Sequence, residues 1–163
     1  MKTILILRHA KSSWKHPELS DHDRPLNKRG KREAPQMGKL IREQGLQPDI
    51  ILSSTALRAQ ATAQVVAEKC GYEGEIHYIP DLYRADVEDI LGILQRMDDS
   101  VNTAMVVGHN PELEMLLSLL TDEDEALPTA ALAQVELPIT SWKELTPEKR
   151  GKLVNLFTPR RQS

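Results

Sequence analysis

The amino-acid sequence predicts an α/β fold built on a mostly parallel sheet. Three observations carry that prediction. Short apolar runs of strand length alternate with longer stretches of helical periodicity. The first run, Thr3–Leu7 (TILIL), is apolar throughout and does not alternate, as a strand buried on both faces requires. The chain has 163 residues, 40% hydrophobic and 28% charged, enough to cover such a sheet with helices. Crossovers between the parallel strands are expected to be right-handed.

The elements follow in order. Residues 10–27 read as a loop, punctuated by His16-Pro17, Ser20-Asp21 and Arg24-Pro25. Asn27 caps a helix that runs to about Gln44 and stops at Gly45. Ala34, Met37, Leu40 and Ile41 give it one buried face. Pro35 either kinks this helix or marks where its regular part begins. Asp49–Ser53 (DIILS) is a second buried strand. Residues 55–69 then form a helix with Leu57, Ala61, Val65 and Val66 inward. Glu75–Ile79 is a third strand, and Val87–Met97 a helix with Ile90, Leu91 and Leu94 on one face. Asn102–Val107 (NTAMVV) is a fourth strand, ending at Gly108-His109. Pro111 fits the first turn of the next helix, which runs to about Leu120. Ala131–Leu137 and Lys152–Phe157 are two late strands. No repeat, low-complexity tract or linker divides the chain, so residues 1–163 read as one domain. The acidic run Asp122-Glu123-Asp124-Glu125 reads as a solvated loop.

Composition narrows the function classes. A net charge of -3 disfavours nonspecific nucleic-acid binding, although a local basic pocket could hold phosphate. The apolar run after Lys2 covers only Ile4 to Leu7, too short for a signal-peptide core or a membrane span. The protein is therefore expected to stay where it is made, in the cytoplasm, away from membranes. The single cysteine, Cys70, excludes an internal disulfide, which is compatible with a reducing compartment. It precedes Gly71 at a helix end and reads as a buried, inert thiol.

In open α/β sheets, ligands bind beyond the carboxyl ends of the strands. The first strand ends in Arg8-His9. The second leads through Ser53-Ser54-Thr55 to Arg58, one turn into a helix. The fourth ends in Gly108-His109-Asn110. A lone His or Arg after a strand is usually a surface residue, but four converging on one edge define a candidate site. Arginine supplies a forked, permanent cation matched to phosphate oxygens. Helix starts near Thr55 and Pro111 add backbone N–H groups and positive dipole ends. No metal set is expected, because His9 and His109 lack Cys, Asp or Glu at ligand spacing. No Gly-rich loop precedes a Lys-Ser/Thr pair, which argues against a P-loop. Beside arginine-held phosphate, a histidine either donates a hydrogen bond or attacks phosphorus. The attacking form must be neutral, and nearby guanidinium groups favour that form.

These residues fall in motifs. LRHA after the first strand, SSTALRAQATA after the second and VVGHNP after the fourth resemble the histidine phosphatase superfamily. The usual Arg-His-Gly opening has Ala10 in place of glycine. RHAKSSW, DRPLNKRG and the closing GKLVNLFTPR look closest to SixA-type phosphohistidine phosphatases. The resemblance implies a three-layer α/β/α sandwich of the phosphoglycerate mutase-like kind. It implies a metal-independent hydrolase with no cofactor. His9 would be the nucleophile, Arg8 and Arg58 would hold the phosphoryl oxygens, and His109 would donate to the phosphoryl group. Arg24 in DRPL would be a further phosphate-side arginine, or else it forms an exposed salt bridge within its loop.

Many superfamily members protonate the leaving group with a carboxylic acid. In the acid-phosphatase branch an Asp follows the second histidine, where this chain has Asn110. The phosphoglycerate mutase branch uses a Glu on a longer insertion that this chain is too short to carry. Glu112 and Glu114 fall on the following helix and read as solvated or capping, while Asp21, Asp23 and Asp86 read as structural or surface. A missing acid favours a leaving group that departs easily, such as the imidazole of phosphohistidine, over an alkoxide. The expected substrate is thus a protein bearing phosphohistidine. The alternatives are a small phosphate ester, or a phosphate-binding adaptor without turnover. His16, His22 and His77 read as polar-loop or outward strand residues. Trp14 packs its loop or borders the pocket mouth, and Lys11, Ser12 and Ser13 are either phosphate contacts or loop polarity.

Overall fold

The structure is a computed structural model that describes residues 1–148 and 150–159. Arg160, the last residue of the closing motif, lies outside them. Six strands form one sheet: β1 (Lys2–Arg8), β2 (Ile50–Ser54), β3 (Ile76–Ile79), β4 (Thr103–Gly108), β5 (Leu132–Leu137) and β6 (Lys152–Phe157). Four helices connect them: α1 (Lys28–Glu43), α2 (Leu57–Cys70), α3 (Val87–Gln95) and α4 (Glu112–Thr121). The strand order is β3-β2-β4-β1-β5-β6. The first four strands are parallel, and β5 runs antiparallel to both β1 and β6.

β1 shows why its centre, Ile4 to Leu7, is an unbroken apolar run. Ile4 and Ile6 pack with Leu113, Leu116 and Leu94 of the α3–α4 side. Leu5 and Leu7 pack with Met37, Ile41, Ala63 and Val66 of the α1–α2 side. All four are 0% exposed, so each β1 side chain has a covered face to enter, and the molecule is a three-layer α/β/α sandwich.

Helix α1 begins as expected, with the Asn27 side chain accepting a hydrogen bond from the Gly30 N–H. One helix runs through Pro35, so the proline does not mark its start. Its missing N–H costs one backbone bond, which packing of Ala34, Met37, Gly38 and Ile41 outweighs. In α2 the buried stripe is Arg58, Ala59, Thr62, Ala63, Val66, Ala67 and Cys70. Leu57, expected inward, is 42% exposed, because the helix turns Arg58 and Thr62 toward the strand ends instead. Gly71 ends α2 in the left-handed conformation, with the Cys70 thiol buried. Pro111 precedes α4 as its N-cap and follows a cis peptide bond from Asn110.

The start of α1 is fastened to the loop after β1. The Asn27 N–H donates to the Lys11 carbonyl (3.0 Å), and Ser12 and Leu26 form an isolated antiparallel bridge. Gly30 sits against this crossing, where a Cβ would run into the Lys11 carbonyl oxygen. Gly30→Ala is therefore expected to lower unfolding free energy by about 2 kcal/mol through overpacking. Because Lys11 lies two residues beyond His9, the variant should also lose any activity that depends on His9. Denaturant unfolding and a steady-state assay check both, and wild-type values in each would contradict the close approach.

Candidate active site

The three strand ends marked in the sequence are neighbours in the sheet, in the order β2-β4-β1. Arg8 pairs in register with Gly108, and the His9 N–H donates to the Gly108 carbonyl (3.0 Å). The next residue of each strand is thus a histidine beside a histidine. The His9 and His109 rings lie 5.1 Å apart between centroids. From the β2 side, the Ser54 hydroxyl meets His109 Nε2 at 2.8 Å.

Local bonds fix the tautomer of His9. Its Nδ1 lies 2.7 Å from the Ala10 carbonyl oxygen. A carbonyl only accepts, so Nδ1 carries the proton and Nε2 keeps its lone pair. Burial above all, with the nearby cations Arg58 and Arg8 adding to it, lowers the His9 pKa to about 3. The ring is neutral at working pH. Ala10 adopts no positive φ, so its methyl is free of the strain a left-handed position would impose. The Ala10 N–H donates to Thr62 Oγ1 (3.0 Å), which itself donates to the Arg58 carbonyl (2.8 Å). Thr62 thereby ties the loop of His9 to the helix of Arg58.

His109 is also held neutral, its pKa lowered to about 4 by burial first and then by Arg58. Ser54 Oγ accepts from the Ala56 N–H (3.2 Å) and can give its own proton to His109 Nε2. That arrangement leaves the His109 proton on Nδ1. Arg8 donates through Nη1 to the Leu127 carbonyl (3.0 Å). Arg8 Nε and His109 Nδ1 are buried and have no hydrogen-bond partner among the described residues. Leaving such donors unpaired costs about 1–3 kcal/mol each, which an incoming hydrogen-bond acceptor would recover.

Arg58 and Arg24 share a partner that sequence reasoning set aside as structural or surface. Asp21 accepts from Arg58 Nη2 (3.0 Å), from Arg24 Nη1 (2.9 Å) and from the Tyr83 hydroxyl (2.8 Å). Its backbone carbonyl accepts from Arg58 Nη1 (2.7 Å). Burial opposes ionisation of Asp21, but the hydrogen bonds from Tyr83, Arg24 and Arg58 outweigh it and hold the carboxyl well below the usual carboxylate range. Arg24 is 7% exposed, so it is not an exposed salt bridge. Its remaining nitrogens bind the Ser13 carbonyl and Ser12 Oγ, and its guanidinium stacks on the Trp14 ring. It knits the loop around the site and already has a bond at each nitrogen.

Two of the remaining candidate carboxylates are engaged elsewhere. Glu114 accepts from the Leu127 N–H (2.7 Å) and from Asn110 Nδ2 (2.9 Å), which makes it a strut for the loop behind Arg8. Asp86 caps α3. His22, read as a loop residue, bonds Thr55 Oγ1 (2.9 Å) and meets the Tyr83 ring edge-on. Tyr83 in turn stands edge-on to His109 at 5.8 Å. Asp21, Ser54, Thr62 and Tyr83 were not foreseen as site residues. Ser54 and Thr62 lie within the motif SSTALRAQATA, and Asp21 stood only among the candidate acids read as structural or surface. Among the described residues no group of His, Cys, Asp and Glu stands close enough to hold a metal, and no helix is long and apolar enough to cross a membrane.

Two neutral imidazoles with arginines nearby, gathered at one sheet edge, have the chemistry that phosphoryl transfer calls for. Comparison with known proteins agrees. The model of the histidine phosphatase superfamily (branch 1) matches residues 4–98, and the chain belongs to that superfamily. Its fold is that of the phosphoglycerate mutase-like members, and it is a SixA-like phosphatase. A candidate phosphohistidine phosphatase SixA from Agrobacterium tumefaciens superimposes with a TM-score of 0.84 at 32% identity, covering 97% of this chain and 98% of that one. A protein histidine phosphatase SixA in complex with tungstate has the same fold, with a TM-score of 0.82 at 24% identity over 96% and 97% of the two chains. An uncharacterized protein of Mycobacterium leprae is 32% identical over 94% of this chain and 100% of its own. A 2,3-bisphosphoglycerate-dependent phosphoglycerate mutase of Thermobifida fusca is 35% identical over 49% of this chain and 32% of its own.

Proposed function

We propose that the protein removes phosphate from phosphohistidine in a protein substrate, through a phosphorylated His9. The neutral Nε2 of His9 attacks phosphorus, and the bond to the leaving imidazole breaks with its electron pair on the leaving nitrogen. Arg8, Arg58 and the His109 Nδ1–H take the charge of the transferring group, while Arg24 holds the surrounding loop through Asp21, Ser12 and Ser13. Water then attacks phospho-His9 and releases inorganic phosphate. This sequence uses side chains alone and needs no metal or organic cofactor. It would proceed in the cytoplasm, where phosphorylated carrier and signalling domains are available.

The observation that carries the substrate class is the state of the carboxylates. Asp21 is held ionised between arginines, Glu114 is tied to Leu127 and Asn110, and Asn110 itself has no proton to give at working pH. Among these three groups an alkoxide leaving group finds no carboxylic acid to protonate it. A phosphoimidazole protonated on its other ring nitrogen leaves as neutral imidazole and needs none. The resemblance to SixA proteins points the same way.

The test compares a histidine-phosphorylated carrier protein with aryl and alkyl phosphates, with EDTA present. Rapid loss of phosphate from the carrier, good aryl turnover and alkyl turnover lower by about 100-fold in kcat/KM are expected. Alkyl phosphates hydrolysed as well as the carrier would move the assignment to a small-ester phosphatase. Binding without turnover of any of the three would make the protein an adaptor.

A further inference from the structure

We infer that Asp21 is a positioning residue for phosphoryl transfer, fixing the plane of Arg58 while its charge keeps the site from holding phosphate too tightly. The inference deepens the phosphatase assignment and rests on Arg58 contacting the phosphoryl group. A carboxylate inside an anion site is unfavourable for ground-state binding, so its presence calls for a compensating role. The geometry supplies one. Asp21 grips Arg58 at two points, the backbone carbonyl on Nη1 and Oδ2 on Nη2. Two points set the orientation of a rigid, planar fork and leave its other N–H groups for substrate. The opposite oxygen, Oδ1, takes Arg24, and the Tyr83 hydroxyl pins Oδ2 from the side facing His109. The Asp21–Asp23 turn is thereby locked to α2 and to the segment after β3. The Asp21 side chain is 39% exposed, so its role is not that of a core residue.

Transition-state charge is stabilised by donors that are already oriented, whereas ground-state affinity follows net charge. Asp21 serves the first at the expense of the second. Asp21→Asn keeps one acceptor oxygen but presents an amide donor to a guanidinium or to Tyr83. With an aryl phosphate as substrate, its kcat is expected to fall about tenfold while the competitive Ki of inorganic phosphate tightens about three- to tenfold. Asp21→Glu keeps the charge but displaces the fork, so its kcat should fall with no tightening of Ki.

A kcat within twofold of wild type in both variants would overturn the inference. So would a parallel loss of kcat and phosphate affinity in Asp21→Asn, which is the signature of a merely structural residue. If Asp21→Asn does not fold, an unchanged kcat in Asp21→Glu still overturns it. Aryl phosphatase activity lost in His9→Ala but undiminished in Asp21→Asn sinks this inference alone, whereas an inert wild type sinks the phosphatase assignment with it.

Discussion

His9→Ala is expected to abolish both turnover and acid-labile phosphoenzyme, lowering kcat by about 10⁴-fold or more. The ring is the only group in the cluster with a lone pair both buried among cations and oriented by a backbone carbonyl. His109 does not replace it, because its Nε2 is engaged by Ser54. The sign of the pH dependence follows from burial. His9 attacks only when neutral, and a pKa lowered to about 3 keeps it neutral far into acid. With the substrate's own ionisation accounted for, the acid limb of kcat/KM should lie below about pH 5, where an unperturbed imidazole would already have failed near 6.5. Rapid-quench trapping of labelled phosphoenzyme checks the first expectation, and a pH–rate profile checks the second. A half-loss of activity near pH 6.5 that belongs to the enzyme would contradict the burial argument.

Arg58→Ala should lower kcat/KM by about 10³-fold and weaken the inhibition by inorganic phosphate. Arg58 is 7% exposed, so its charge acts in a medium that screens it poorly. Its loss also strands Asp21, which would then face the anion with only Arg24 and Tyr83 to offset it. Arg58→Lys should recover less than a tenth of the deficit, since a lysine restores the charge but not the two-point grip. Steady-state kinetics on an aryl phosphate decide this. Full rescue by lysine would show that charge alone, not the fork, is what the site uses.

Much of this architecture was legible in the residue order. Period and length marked β1, β2 and β4 because apolar runs in buried parallel strands leave little alternative. The strand-end rule then placed Arg8, His9, Arg58 and His109 on one edge, and the sheet order put those ends side by side. What stayed hidden was made by contacts distant in sequence. Asp21 and Tyr83 are 62 residues apart and meet only when the loop after β1 folds over the end of β3. Ser54 read only as a step on the path from the second strand to Arg58, and its bond to His109 depends on the β2–β4 pairing. Leu57 was misplaced for a related reason. Hydrophobicity alone assigns it inward, whereas the helix is rotated to bring the buried cation Arg58 to the site. Arg24 showed its charge in sequence but not its three-sided confinement, because Ser12, Ser13 and Asp21 carry no spacing signal of their own.

The partners of β1 bear on how the protein comes into being. Its first strand lies between β4 and β5, and the N–H of Ala130 reaches both the Arg8 and the His9 carbonyls (3.1 Å each). Leu127 holds the Arg8 guanidinium from the same distant stretch. During synthesis, Arg8 and His9 emerge more than a hundred residues before the segment that binds their carbonyls and the Arg8 guanidinium. A ribosome-bound chain ending after His109 therefore holds all the proposed catalytic side chains with one flank of β1 unpaired. Such non-local closure slows folding and leaves a bare strand edge for chaperones to cover. The proposed site is complete only when the antiparallel strand β5 lies beside β1.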